Sequence, residues 1–193
     1  MGCGRGRGAI LFALFGEQVF RRGAEGIGRI WGFAGIGLLI GGAIGHAVGR
    51  GGDFTRYKRA VALSYLAHGG GYMLFSQAES FAAALALILL SRVGMAVASV
   101  LNTSQLLKHT SDEYLGRVFA TMESLRNSVM IFSMAASGVV SQSVGPRTIG
   151  LVAGGFGMLT AVVWAWADWT GRLPEPRRDA EETTGVWPQR EAR

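Results

Sequence analysis

Long stretches without a charged residue alternate with short polar segments along most of this chain. Four of these stretches are about twenty residues long, at 30–49, 60–78, 127–146 and 148–167. A fifth stretch, 80–107, is interrupted only by Arg92, and a shorter one covers 8–16. A bilayer core of roughly 30 Å, at 1.5 Å rise per residue, requires about 20 apolar residues per helix. The pattern therefore predicts a polytopic protein whose surroundings are the lipid bilayer.

Six helices follow from this pattern. Their predicted bounds are 8–20, 26–48, 60–77, 81–101, 116–143 and 149–169. Only helices and closed barrels can cross lipid, and uninterrupted apolar runs lack the alternation of barrel strands. We therefore expect an all-α membrane bundle over residues 1–171, with a first helix that is truncated. Proline, arginine and glutamate become frequent after Gly171, which predicts a disordered cytoplasmic tail at 172–193.

The charges support this interpretation. Only 17% of the residues are charged, the net charge is +6, and the mean hydropathy is +0.29. The basic residues lie between the apolar stretches and form no basic face with interleaved aromatic residues, so no nucleic-acid partner is expected. With six crossings and an internal N-terminus, thirteen Lys and Arg residues fall on one side and four on the other. Because cytoplasmic loops accumulate Lys and Arg, both termini are predicted to be cytoplasmic, in the inner (plasma) membrane.

Glycine supplies 30 of the 193 residues, and several glycines recur at four-residue spacing. Gly37, Gly41 and Gly45 form one such stripe on the second helix. In lipid, small residues let helix backbones approach closely and so mark packing faces. The stripe predicts tight packing against another helix, and a surface that slides during transport is the less favoured reading. Shorter surfaces of the same kind are predicted on the sixth helix, at Gly150 and Gly154, and on the fifth, at Gly138.

Charged residues inside the predicted spans are the candidate functional groups, because such groups are costly in lipid and commonly face a cavity or a partner. Arg92 lies near the middle of the fourth helix, and Glu123 and Arg126 lie three residues apart on the fifth. Glu123 could pair with Arg126, or with Arg92 while Arg126 faces a water-filled cavity. A structural ion pair is favoured over a role in substrate binding or proton coupling. Glu17 on the first helix is a further candidate, expected near the external end and solvated.

Other polar and aromatic residues have simpler interpretations. His46 and His68 are expected to serve packing through hydrogen bonds more than proton transfer. The polar run Asn102–Gln105 is expected to end the fourth helix, with capping as its simplest role. Aromatic residues near helix ends are expected to be interfacial anchors. They are Tyr57, Tyr72, Trp164, Trp166 and Trp169.

Two segments resemble a known family. The loop between the second and third helices carries Gly49, Asp53, Lys58 and Arg59, a spacing similar to the Gly-x-x-x-Asp-x-x-x-Arg-x-Arg loop of the major facilitator superfamily. Residues 109–120, with Gly116 and Arg117, resemble the entry into the fifth helix of the C-terminal half in bacterial efflux members, although Ser111 and Leu115 replace Pro and Arg of that pattern.

This resemblance covers residues 8–171 and implies the C-terminal half of a two-part secondary transporter. It implies efflux of a small-molecule substrate by alternating access, with the path between two six-helix halves. The partner would then be a missing N-terminal half, and a truncated gene, a split gene or a wrongly assigned start could each explain its absence.

No enzyme is expected. The sequence contains no Gly-x-Ser-x-Gly, no His-Glu-x-x-His and no phosphate-binding loop. One cysteine, Cys3, and three histidines predict neither a zinc site nor a disulfide, and no cofactor is expected. The alternative to a transporter is a small membrane scaffold or assembly subunit that binds a partner through the glycine stripe of the second helix.

Overall fold

The computed structural model describes residues 12–50, 54–141 and 143–172, and every regular element in these ranges is a helix. The six elements match the predicted number and order. They are α1 (Phe15–Val19, a single π-helical turn), α2 (Gly23–Gly49), α3 (Phe54–Gln77), α4 (Phe81–His109), α5 (Asp112–Val140) and α6 (Pro146–Trp169). Most of the predicted tail, the start of the predicted first helix and Asp53 lie outside the described residues.

The predicted helix bounds were wrong mainly where charged or polar residues precede or follow an apolar run. α3 begins at Phe54 and not near residue 60, and α4 continues to His109, so the run Asn102–Gln105 lies within α4 and caps nothing. A helix that emerges into water can continue through charged residues, because they are good helix formers there. α4 begins at Phe81, and the hydroxyl of the preceding residue, Ser80, accepts a hydrogen bond from the backbone of Ala83 at 3.1 Å, a typical N-cap.

Three helices are long and apolar enough to cross a membrane. They are α2, α4 and α6. α3 and α5, with 24 and 29 residues, are also long enough for roughly 30 Å of hydrocarbon, but their sequences are more polar. Many large apolar side chains on α2 and α6 are exposed, among them Leu39, Phe156 and Trp169. Such surfaces suit lipid as the surrounding medium.

The helices pack side by side in the order α2, α4, α3, α6, with α1 against α2. α3 runs antiparallel to both of its neighbours, α4 and α6, whereas α2 and α4 run parallel to each other. At one end, Tyr57 of α3 bonds Asn102 of α4 at 2.8 Å, and at the other Gln77 of α3 bonds the Arg147 carbonyl of α6 at 3.3 Å. The larger buried cluster lies between α1, α2, α3 and α4, around Phe12, Phe75 and Ile88.

The glycine stripe of α2, which the sequence predicts to be a packing face, lies against α4 in the structure. A Cβ added to Gly37 would lie 2.5 Å from the Leu89 carbonyl oxygen, and one on Gly45 would lie 3.0 Å from Val100 Cβ. At Gly41 an added Cβ would overlap the Val93 carbonyl oxygen and come within 2.8 Å of Ala96 Cβ. The two backbones approach this closely only because the side chains are absent. The stripe is therefore covered by the same chain.

The α3–α6 contact uses glycines in the same way. A Cβ on Gly154 of α6 would lie 2.7 Å from the backbone nitrogen of Met73, and one on Gly69 of α3 would lie 2.7 Å from the carbonyl carbon of Gly157. Gly150 faces Ser76, again within 2.5 Å. The predicted small-residue surface on α6 is thus an internal packing face.

α5 differs from the other long helices. It makes no extensive contact with any other element of the described chain, and Ser137 is its one buried residue there. Apolar side chains such as Leu125, Ile131 and Phe132 are exposed, and an added Cβ on Gly138 would meet nothing within 4 Å. The small-residue surface predicted for α5 therefore has no partner among the described residues.

Candidate functional site

Arg92 lies at the α2–α4 contact, close to the middle of α4, with only 5% of its surface exposed. Its Cβ faces Gly37, its guanidinium lies 5.1 Å from the centre of the Phe12 ring, and one of its nitrogens lies 3.0 Å from the sulfur of Met95. An aromatic face attracts a cation, and more strongly where water is excluded. Arg92 is therefore held inside the bundle by α1, α2 and its own helix.

His68 and Ser91 form a polar contact next to Arg92. Nδ1 of His68 lies 2.9 Å from the Ser91 hydroxyl oxygen, and that hydroxyl donates to the His68 carbonyl oxygen at 3.0 Å. Gly94, one turn away on α4, faces the backbone of Ser64 and His68 closely enough that an added Cβ would clash. These contacts join α3 to α4, in agreement with the expected packing role of His68. His46, on α2, is exposed.

Glu123 and Arg126 form an ion pair with each other on α5. Of the two pairings that the sequence left open, the structure contains this one. Both side chains are accessible on the described structure, unlike Arg92. Arg92 lies in the α1–α2–α4 packing, and α5 has no extensive contact with α4. The structure therefore does not bring the three candidates together into one site.

A second polar cluster lies at the opposite end of the row from Gln77 and Arg147. Lys58 of α3 forms a 2.7 Å ion pair with Asp168 of α6, and only 12% of the Lys58 side chain is exposed. The indole nitrogen of Trp164 donates to the Lys58 carbonyl oxygen at 3.2 Å. Lys58, expected as part of a loop, is thus within α3 and connects α3 to α6.

Asn102 joins α3 and α4 at the same end. Its side-chain carbonyl accepts from the Tyr57 hydroxyl at 2.8 Å, and its amide donates to the Tyr65 hydroxyl at 3.1 Å. Tyr57 and Trp164 are partly buried and hydrogen-bonded, and Tyr72 is in the core at 5% exposure. These three are therefore packing residues more than interfacial anchors, whereas Trp166 and Trp169 are exposed as an anchor would be.

The remaining residues of the two motifs are separated. Gly49 is the last residue of α2, Arg59 is exposed on the second turn of α3, and Gly116 and Arg117 are exposed on the first turns of α5. Asp53 is outside the described residues. The contacts that the family resemblance implies for this loop are therefore not observed as a set.

At the other end, the guanidinium of Arg147 donates to the carbonyl oxygens of Gln77 and Ala78, both at 3.2 Å. These bonds occupy the last carbonyls of α3, which no residue of that helix can reach. Glu17 is exposed on α1 at this end. Arg147, which the sequence placed in a loop, therefore connects α6 to α3 through hydrogen bonds.

Sequence reasoning missed two features of the site. The Lys58–Asp168 pair joins residues that are far apart along the chain, and Asn102 was assigned to a helix end. The position of Asn102 could have indicated its role, because a side-chain amide within an apolar helix needs hydrogen-bond partners. No group of three or more His, Cys, Asp or Glu side chains that could hold a metal occurs in the described ranges.

Comparison of the chain with protein families, with characterised proteins and with solved structures finds no match. The geometry of the described helices is therefore the basis for any functional assignment, together with the motif resemblance.

Proposed function

We propose that this chain is the C-terminal six-helix half of a major facilitator superfamily transporter of the bacterial efflux type. In this proposal it moves a small molecule by alternating access, together with an N-terminal half that the sequence does not contain. The resemblance of the segments around Gly49 and Gly116 supports the family. The alternating directions of α2, α3 and α4 along the chain are compatible with it.

The main support for the proposal is that α5 carries a charge pair but lacks an extensive packing partner among the described residues. This 29-residue helix holds a Glu123–Arg126 pair near its middle, yet it has no extensive packing partner in the described chain. A charge pair at the bilayer centre is costly where it faces lipid, so it calls for protein or water beside it. A second half that packs on α5 would supply both, since substrate paths of such transporters lie between the halves.

The proposal includes six crossings with both termini in the cytoplasm of the cell and the protein in its plasma membrane. Its support is the grouping of basic residues at the two ends of the row. Arg50, Arg56, Lys58, Arg59 and Lys108 share the end at which α2 and α4 finish and α3 begins. Arg21, Arg22 and Arg147 lie at the other end. The richer end would face the cytoplasm.

We assign the substrate or coupling path first to Glu123 and Arg126, because these charges lie on the helix that lacks a partner. Arg92 would act from inside the half, where α1 and α2 fix its position. Glu17, exposed on α1, would lie near the external mouth. When α5 moves against the second half, the Glu123–Arg126 ion pair would break, and the two side chains would then bind charged groups of the substrate.

An efflux assay tests this assignment. The chain is expressed with the hydrophobic half encoded upstream of Met1, in frame or as an adjacent gene, and loss of ethidium from loaded cells is followed by fluorescence. We expect Glu123→Gln to reduce efflux to background, because the pair with Arg126 is lost, while membrane insertion survives. Glu113→Gln is the matched control, since Glu113 is exposed in the first turn of the same helix.

Unaltered efflux in Glu123→Gln and in Arg92→Gln would overturn the site assignment. Absence of hydrophobic segments upstream would count against a transporter and in favour of the scaffold. A scaffold role would need a surface other than the glycine stripe, because α4 covers Gly37, Gly41 and Gly45. Gly41→Leu would then disturb the fold of the chain before it disturbed any complex.

A further inference from the structure

A small cleft opens where α2 and α4 end beside the start of α3. Its walls are Val48 and Gly49 of α2 and Leu101 of α4, with Tyr57 of α3 at one side. Ser104, Gln105 and Lys108 of α4 complete the lining. Gly49 lies against Leu101, since an added Cβ would be at the ordinary contact distance of 3.6 Å from Leu101 Cδ2. The cleft is therefore apolar at its inner wall and polar at its mouth.

The three polar residues of α4 share one face of the helix, because positions four or three residues apart are neighbours on its surface. In the described chain, the side chains of Ser104, Gln105 and Lys108 make no hydrogen bond and no ion pair. The cleft thus presents a hydroxyl, a carboxamide and an ammonium group that can all donate to one ligand.

The charge of the cleft favours an anion. Lys108 lines it, and Arg50, the residue that follows α2, is exposed next to Gly49. Asp112 and Glu113, the acidic residues nearest to Lys108 along the chain, are exposed in the first turn of α5, and Asp53, four residues after Gly49, lies outside the described residues. Lys58 at the same end is already paired with Asp168. Lys108 is therefore the cation that the cleft has available for a ligand.

The position of the cleft points to a lipid as the source of that anion. α2 and α4 are both apolar enough to cross a membrane, and the cleft lies at their common end, where lipid headgroups would be. Ile44 is exposed one turn deeper than Val48 on the same face of α2. An acyl chain could follow this apolar face while the phosphate occupies the polar mouth.

We propose that the open mouth of this cleft, whose enclosed volume is only about 20 Å³, binds the phosphate headgroup of an anionic phospholipid, with Lys108, Gln105 and Ser104 as its donors. Basic pockets between membrane helices at the cytoplasmic side are suited to anionic headgroups. The proposal does not depend on transport activity, and it assigns to the end of α4 a binding role that the efflux assay does not measure.

Native mass spectrometry of the full chain, released from detergent with phosphatidylglycerol or phosphatidylcholine added, tests the proposal. We expect the wild-type chain to retain phosphatidylglycerol in preference to phosphatidylcholine. Lys108→Gln should lower retention of phosphatidylglycerol by about five-fold, the effect of one cation near an anionic surface. Arg56→Gln is the matched control, because Arg56 is exposed at the same end and outside the cleft.

A second variant distinguishes binding in the cleft from nonspecific electrostatic attraction between the anionic lipid and the basic residues. Ser104→Leu keeps every charge but fills the cleft, and it should also lower the retention of phosphatidylglycerol. Equal losses in Lys108→Gln and Arg56→Gln, or full retention in Ser104→Leu, would overturn the proposal. Displacement of the lipid by millimolar inorganic phosphate would show that free phosphate is the preferred ligand, and it would overturn the lipid assignment.

Discussion

At Gly41 the absence of a side chain allows the backbones of α2 and α4 to approach closely. The four-residue spacing predicts a packing face at Gly37, Gly41 and Gly45, and in the structure these glycines lie against α4. The spacing did not identify α4 as the partner, because periodicity in one helix carries no information on which helix faces it. The partner depends on contacts between distant parts of the chain.

Gly41→Ala is expected to destabilise the protein by roughly 1–3 kcal/mol, as overpacking does, because its Cβ would overlap the Val93 carbonyl oxygen. Gly42→Ala is the matched control, since an added Cβ there meets nothing within 4 Å. Alanine at that position should stabilise α2 by about 0.5–1 kcal/mol through its helix propensity. Thermal unfolding in detergent compares the two variants, and equal midpoints would contradict the α2–α4 contact.

Arg92, Glu123 and Arg126 were recognised from the sequence as interruptions of apolar runs. Their identity as unusual residues could be predicted, because a charge inside an apolar stretch is visible without a structure. It could not be predicted that Arg92 lies apart from Glu123 and Arg126. Of the neighbours of Arg92, Met95 lies one turn away on α4 itself, whereas Phe12 comes from the turn before α1, far away along the chain.

At the scale of the elements, α3 and α6 are joined at both ends. Arg147 bonds the last carbonyls of α3, and Lys58 pairs with Asp168 at the other end. The sequence placed Lys58 in a loop because it follows a glycine-rich segment and precedes the apolar run. The helix includes it because its charge is offset by a carboxylate from α6.

A double-mutant cycle tests the Lys58–Asp168 pair. Lys58→Met and Asp168→Asn should each destabilise the protein, and the double variant should be destabilised by less than the sum of the two, since each single change breaks the ion pair and leaves one partly buried charge. We expect a coupling of about 0.5–3 kcal/mol from unfolding curves in detergent. Arg59→Met, with an exposed side chain on the same turn, should change stability by no more than about 0.5 kcal/mol. Additive effects of the two changes would contradict the pair.

α5 is expected to be the least protected long helix of the isolated chain. Opening it breaks few contacts with other elements, so the free energy of local opening is small. In hydrogen exchange followed by mass spectrometry in detergent, amides of 120–138 should exchange faster than those of 88–106 in α4. Equal protection would show that α5 packs on the rest of the chain.

For the whole molecule, the six helices and their order were predictable from the apolar stretches alone. The row α2, α4, α3, α6 was not, because the order of neighbours is set by glycine faces and by polar ties between distant residues. The ends of the helices were also missed, since water permits a helix to continue past the apolar run. The proposed half-transporter rests on this row and on α5, the long helix outside it.

The most direct test is the topology of the chain in the membrane. In a Cys3→Ser background, single cysteines are introduced outside the helices, and intact cells are treated with a membrane-impermeant maleimide. Cysteines at Arg22, Glu79 and Gly145 should be labelled in intact cells, and those at Arg50, Thr110 and Gly171 only after permeabilisation. Labelling of Arg50→Cys or Thr110→Cys in intact cells would contradict six crossings with both termini in the cytoplasm.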